Sequence, residues 1–265
     1  MGFSVVWGTS VGHVWVPIVD SDTCYVGQIV ACQANEGVVP IGAASGANDT
    51  TGKLVPMGVV IGTNNRRPSY DSTYKTEKIT DATPLATTTE FTGVEGPWAK
   101  GDRQAMVEVA LIDQCTVLKG RLFNAAYGTA ITVGTVSTGD SNGVSCTSSA
   151  VEVAGVAGLA SLYFRGGANA GAYRITDDTS TTAITWDKPT YAAVAVGDTL
   201  VRANGLRVFG PSRAQFDSEA TYIDNSAALT SDYYGLDVIK LDLSKAGEEH
   251  VYFRFNADHF ALKRA

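Results

Sequence analysis

Charge is scarce in this chain, and what there is leans acidic. Asp, Glu, Lys and Arg make up 18% of 265 residues, and 27 acidic side chains against 20 basic ones leave a formal charge of −7. Nucleic-acid binding runs on basic surfaces that displace counterions from phosphate, so this balance argues against a nucleic-acid partner. Histidine is scarcer still. His13, His250 and His259 are the only three, and they form no HxH or HExxH pair, so neither a transition-metal site nor a metal cofactor is expected. Cys24, Cys32, Cys115 and Cys146 lie far apart with no CxxC spacing and no adjacent histidine. They read as reduced thiols, mostly buried like small hydrophobes, rather than as a zinc site or a redox pair. No stretch approaches the roughly 18 uninterrupted apolar residues of a membrane helix. No basic segment leads into a long apolar run at the amino terminus, so no secretory signal is expected. Synthesis in a cytoplasm and no membrane partner are the corresponding expectations.

What the chain has in quantity is glycine and apolar side chains, with 28 Gly and a hydrophobic content of 45%. That hydrophobic content excludes disorder, which needs low hydrophobicity and high net charge. Four Gly-led steps recur along the chain: Val26-Gly27-Gln28-Ile29-Val30, Lys100-Gly101-Asp102-Arg103, Lys119-Gly120-Arg121-Leu122-Phe123 and Val196-Gly197-Asp198-Thr199-Leu200-Val201. A glycine before such a run is where a chain turns tightly into a strand, because only glycine takes φ > 0 without steric cost. Short strands and turns are therefore predicted throughout.

The first sixteen residues carry eight large apolar side chains, Phe3, Val5, Val6, Trp7, Val11, Val14, Trp15 and Val16. Chain ends usually fray, so a cover is implied, either the segment's own core or a neighbouring subunit. Strands are predicted over 24–34, Lys53 to Gly62, Met106 to Ile112, Leu122-Phe123 and Ala130 to Ser137, and Val151 to Phe164 has strand composition. Tyr173 to Thr176 and Thr181 to Trp186, joined at Asp177-Asp178, read as a hairpin. In Val251 to Phe255 the apolar positions alternate, so Val251, Phe253 and Phe255 share one face and Arg254 takes the other. Helix is most plausible in Ser212 to Ile223, with Ser212 as cap. The Ser/Thr/Gly-rich stretch from Val136 to Ala150 marks a domain boundary. The division is a docking segment at 1–16, one β domain over 17–140 and a second over 141–265. The fold class is all-β, a compact β-barrel or β-tulip-like domain with a second β domain and minor helix.

Candidate chemistry is thin. Gly8-Thr9-Ser10-Val11-Gly12 has the GxSxG spacing of a nucleophile elbow, with His250 and His259 downstream. That motif requires a helix after the serine. Val14-Trp15-Val16-Pro17 follows instead, which is strand-like, so Ser10 is not read as a nucleophile and no enzymatic activity is expected. Asp177-Asp178, Asp217 with Glu219, and Glu248-Glu249 are carboxylate clusters that could serve glycoside hydrolysis or Ca²⁺, but solvated turn charges are the commoner source of such pairs. Gly166-Gly167-Ala168-Asn169-Ala170-Gly171 lacks both GxGxxG spacing and a following helix, so it reads as a turn and no cofactor is expected. Arg66 and Arg67, near Tyr70 and Tyr74, admit two readings, contact with an acidic partner or a plain exposed loop.

Val26-Gly27-Gln28-Ile29-Val30 with Pro56-Met57-Gly58-Val59-Val60, and Lys119-Gly120-Arg121-Leu122 with Val153-Ala154-Gly155-Val156-Ala157, resemble the head-decoration (cement) proteins of tailed bacteriophages. The segments Asn169 to Ile175 and Ala195 to Thr199 are similar to repeats in phage virion proteins. These stretches cover about a third of the chain and are short. The resemblance implies β domains that sit on the outside of a capsid, often as trimers, and reinforce it without catalysis. Its implied partners are the major capsid protein and further copies of the chain, and its implied location is the virion. Phe3, Trp7, Trp15, Arg66, Arg67 and Tyr70 are the candidate contact residues. A tail, adaptor or jelly-roll coat protein is the nearest alternative, and a carbohydrate-binding or hydrolytic β domain is the alternative from another class.

Overall fold

The computed structural model describes residues 2–8, 12–19, 22–33, 37–41, 55–64, 69–71, 76–80, 105–123, 133–148, 160–177, 183–216, 221–224, 234–257 and 260. Among the described residues every helix or strand longer than a single turn is a strand, as the all-β reading requires. The chain divides into two compact units. One is Met1–Leu118 with Phe216–Tyr222 and Ala257–Ala265, and the other is Lys119–Gln215 with Ile223–Asn256. The boundary expected near residue 140 thus lies inside the second unit, and residues 1–16 belong to the first.

The reason residues 136–148 do not form a loop at a boundary is visible in their hydrogen bonds. Asp140 accepts backbone N–H groups from Asn142 at 3.0 Å, Val144 at 3.1 Å and Ser145 at 3.2 Å. Those bonds, Asn142 first, hold its carboxyl below the usual carboxylate range. Thr138 bridges Thr147, and Asp140 bridges Val194. Side chains typical of loops here satisfy the backbone polar groups that a linker would leave to water.

The first unit contains β1 (Ser4–Trp7), β2 (His13–Pro17), β3 (Thr23–Tyr25), β4 (Ile29–Gln33), β5 (Gly37–Pro40), β6 (Pro56–Thr63), β7 (Ser69–Asp71), β8 (Thr76–Thr80) and β9 (Met106–Leu111). Five of them hydrogen-bond in the order β2-β9-β6-β4-β5 and three in the order β3-β8-β7, while β1 is an edge strand. The strand expected over 24–34 is broken in two by a turn at Val26-Gly27, where Gly27 holds φ at 87°. A second constraint acts at that glycine: a side chain on it would place its Cβ 2.7 Å from the Cα of Gly2. The amino-terminal backbone crosses there, with the Phe3 N–H donating to the Gly27 carbonyl at 2.6 Å. The core between the strands is aliphatic: Ile18, Val30, Val38, Val60, Ile79, Val107 and Val109 around Cys24.

The second unit is built from β10 (Val117–Phe123), β11 (Val133–Thr135), β12 (Ser145–Cys146), β13 (Ser161–Phe164), β14 (Gly171–Asp177), β15 (Ile184–Trp186), β16 (Thr199–Ala203), β17 (Gly210–Phe216), β18 (Ile223–Asp224), β19 (Tyr234–Asp242) and β20 (His250–Phe255), apart from the end residues of β10 and β17. One sheet runs β11-β16-β13-β14-β15-β12. In the other, β10-β18-β17-β19-β20 follow in order and β10 also pairs with β20, which closes the five strands on themselves. The expected hairpin is present, with Ile175 opposite Trp186. β20 alternates as expected, burying Val251, Phe253 and Phe255 and exposing Arg254.

Two expectations fail here. The helix placed over Ser212 to Ile223 is overturned through Phe216, because β17 buries Ser212, Ala214 and Phe216 with a period of two. The Ser212 hydroxyl accepts the Arg207 N–H at 2.9 Å and donates to the Gly210 carbonyl at 3.2 Å, bonds of a turn rather than of a helix cap. Gly120, expected at a strand entry with φ > 0, sits inside β10 instead. Gly197 does turn the chain ahead of β16, with φ at 93°.

Candidate partner-binding surface

A strand alternates its faces, and β2 shows what that does to the apolar amino terminus. Val14 and Val16 pack on the aliphatic core while Trp15, opposite Glu108 in β9, is half-buried on the other face. Of the segment 1–16, β2 is therefore committed to the five-stranded sheet. Phe3 is buried as well, with its ring edge-to-face on Phe216 at a centroid distance of 5.5 Å. What stands out to solvent is β1. All four of its residues are exposed, and Val5, Val6 and Trp7 show 38, 50 and 76% of their surfaces. Two buried points, Phe3 and the Gly27 crossing, hold the start of an edge strand that leaves much of its apolar surface exposed.

Tyr70 lies on β7 opposite Glu77, and Arg66 and Arg67 lie outside the described residues, as does Tyr74. Phe3 is thus buried and Trp7 displayed, and Trp15 lies in a different sheet from β1.

The residues weighed for chemistry do not converge. Ser10 and His259 lie outside the described residues, and the segment after Gly12 is the strand β2, where an elbow needs a helix. His13 is exposed, its Nδ1 3.4 Å from Glu108 Oε1. His250 is partly buried in β20, and its imidazole is held below the ordinary value, by burial first and by the Lys119 cation next. Glu248 and Glu249 are no pair. Glu248 is exposed and bonded to Lys245 at 2.6 Å, whereas Glu249 is only 1% exposed and ion-paired with Arg165. Arg165 also donates from Nε to the Leu243 carbonyl at 2.9 Å. Asp177 closes β14 in an exposed position, while Asp178, Asp217 and Glu219 lie outside the described residues. No group of three His, Cys, Asp or Glu side chains that could hold a metal occurs among the described residues. Cys24 and Cys146 are buried and Cys32 and Cys115 exposed, with no disulfide among the four, so the thiols are half rather than mostly interior. Burial, with Asp22 adding to it, pushes the Cys24 thiol up and keeps it protonated. Among the described residues no helix is long and apolar enough to cross a membrane.

Sequence reasoning missed one constellation. Lys119 comes from β10, far earlier in the chain than the neighbouring β19 and β20 that carry Lys240 and Tyr252, and the single trace of them was the outward position of Tyr252 in the alternation of β20.

No model of a protein family matches the chain, and no curated protein sequence does. A solved structure from Mycobacterium phage Patience is similar over 97% of this chain and 96% of its own, at 11% identity and a TM-score of 0.28, a likeness too low to decide fold or role.

Proposed function

We propose that this chain is a structural protein of a phage virion: a head decoration protein that binds the outer capsid and ties neighbouring capsomers together without catalysis. Its partners in this reading are the major capsid protein and, in a trimer, its own copies. The observation that carries it is β1, an edge strand whose Val5, Val6 and Trp7 are displayed to solvent while Phe3 anchors its start in the first unit. An exposed edge of this kind is an aggregation hazard unless a partner takes it. A partner strand laid along it would gain backbone hydrogen bonds together with apolar burial, and a tryptophan alone can bury on the order of 200 Å². At about 25 cal/mol per Å² each contact is modest once association costs are met, and repetition over a shell supplies the rest. The short motifs shared with cement proteins point to the same role.

The test compares particles assembled with the chain, without it and with Val6→Ser/Trp7→Ser, by co-sedimentation and negative-stain imaging. Decoration should be lost in the double variant while its melting temperature stays that of the parent chain. Equal decoration by the variant would refute the role of β1, and no association with particles at all would refute the reading.

A further inference from the structure

In an acidic chain, one sheet face gathers cations. β20 lies between β10 and β19, pairing with both. Its residues Val251, Phe253 and Phe255 point inward, so His250, Tyr252 and Arg254 point out. Lys240 of β19 is the cross-strand partner of Tyr252, and Asp242 that of His250. On the other side, Lys119 of β10 reaches the same ring: its Nζ is 5.7 Å from the Tyr252 centroid, and that of Lys240 is 5.5 Å. A row Lys119–Tyr252–Lys240 thus crosses three strands. Arg121 stands two residues from Lys119 in β10 and donates to the Gly247 carbonyl.

The carboxylates nearby are already engaged. Asp242 accepts the Ser244 hydroxyl at 2.7 Å and lies 3.7 Å from Lys240, Glu248 is bonded to Lys245 and Asp237 to Arg254. Lys119 has no carboxylate within ion-pair distance among the described residues, and the Lys240 side chain is 62% exposed. The local excess is positive on a chain whose overall charge is −7, so the remainder is more acidic still.

We infer that the Lys119–Tyr252–Lys240 face is the positive half of a heterologous contact between copies of this chain, its occupant an acidic surface of a second copy. Complementary charge is the argument for that occupant. Two copies of like net charge repel in most orientations, and this face against the acidic remainder is the arrangement in which they attract. A contact that joins two different patches closes into a ring when the rotation permits, which is how a trimer forms. Tyr252 supplies a ring that two cations already hold in place, so little side-chain freedom is lost on docking. The inference rests on the self-association in the proposed function and deepens it by naming the face.

The experiment measures the mass of the full chain by light scattering at 50 mM and 500 mM NaCl, beside Lys119→Glu/Lys240→Glu, with melting curves and particle decoration recorded for each. The parent chain should be oligomeric at low salt and lose association at least about tenfold at high salt, because exposed charge pairs are screened. The double variant should be monomeric at both and melt as the parent does. Salt needs no mutation, so a misfolded variant would not spare the inference. An oligomer that ignores both salt and charge reversal would overturn it, as would a parent chain monomeric at low salt. Retention of a 20-nucleotide oligothymidine by this face, with the mass unchanged, would overturn the occupant in favour of nucleic acid. Particle decoration separates the two levels: lost association with decoration intact implicates only the copy contact, whereas absent decoration by an oligomeric parent implicates the functional reading.

Discussion

Where the first unit buries Ile18, Val30, Val38, Val60, Val107 and Val109 around Cys24, the second buries Phe164, Tyr173 and Trp186 with ring centroids 5.5 to 6.1 Å apart. The rings of the second unit carry polar handles that reach its loops. Trp186 Nε1 donates to the Gly143 carbonyl at 3.0 Å, and the Tyr173 hydroxyl donates to the Asn169 carbonyl at 3.2 Å. Asn169 in turn accepts the Ala192 N–H at 2.8 Å and donates to the Ala193 carbonyl at 3.2 Å. Branched aliphatics offer no such handle. Close backbone approach occurs in both units, at Gly27 over Gly2 in the first and at Gly139 against Val194 in the second. The two kinds of contact therefore fail differently. Directional bonds are lost when a partner is removed, and close approach is lost when an atom is added.

The sharpest break on the side of directional bonds is Arg165→Ala. Glu249 is almost wholly buried, Arg165 holds one of its oxygens, and the other, Oε2, has no hydrogen-bond partner among the described residues. Removing the arginine leaves a buried charge uncompensated, which costs about 3–5 kcal/mol. Denaturant unfolding should show that loss, and Arg165→Met/Glu249→Leu should recover most of it, since a well-packed apolar pair removes the charge altogether. A double variant as unstable as Arg165→Ala would mean that the pair acts through shape rather than charge.

Close approach is tested by adding one methyl group. Gly27→Ala and Gly197→Ala both force an L-residue into the left-handed region, at φ 87° and 93°, which costs about 1–2 kcal/mol. Around Gly197 there is nothing within 4 Å of a new Cβ, whereas at Gly27 the methyl would meet the Gly2 backbone. Gly27→Ala should therefore exceed Gly197→Ala by a further ~1 kcal/mol or more of overpacking strain, read from paired melting curves. Equal losses would show that the amino-terminal crossing yields freely and that backbone conformation alone sets the cost.

The same contrast explains what could be read in the sequence. β20 and the β14–β15 hairpin were legible because their buried positions alternate along short runs. β17 was not, since Pro211-Ser212 followed by Arg213, Ala214 and Gln215 has no β-branched residue, and the hydroxyl that looked like a cap serves the turn at Gly210. The apolar content of residues 1–16 was plain, but its division between a half-buried β2 and an exposed β1 depends on β9 lying beside β2, almost a hundred residues away. The Lys119–Tyr252–Lys240 row depends likewise on the pairing of three strands. Long-range pairing decides such features, and local spacing does not carry it.

The smallest expected effect concerns His250, and it links the charged face to stability. Its pKa in the folded chain lies below the ordinary value of 6.5, from burial first, then from Lys119 and, less, Arg121 on β10; a backbone hydrogen bond with Glu248 and the Asp242 charge on β19 pull the other way. A histidine that resists protonation when folded binds fewer protons than the unfolded chain between the two values. Stability is therefore full above the unfolded value and falls as pH drops from about 6.5 toward the folded one. Partial exposure and screening keep the effect small. His250→Gln should flatten this shallow decline while leaving the melting temperature at pH 8 near that of the parent. Lys119→Ala should raise the imidazole pKa, followed by proton NMR, without bringing it to the ordinary value, because burial remains. A titration indifferent to Lys119 would mean that the cation does not face the imidazole in solution, and would weaken the case for a positive patch on that sheet.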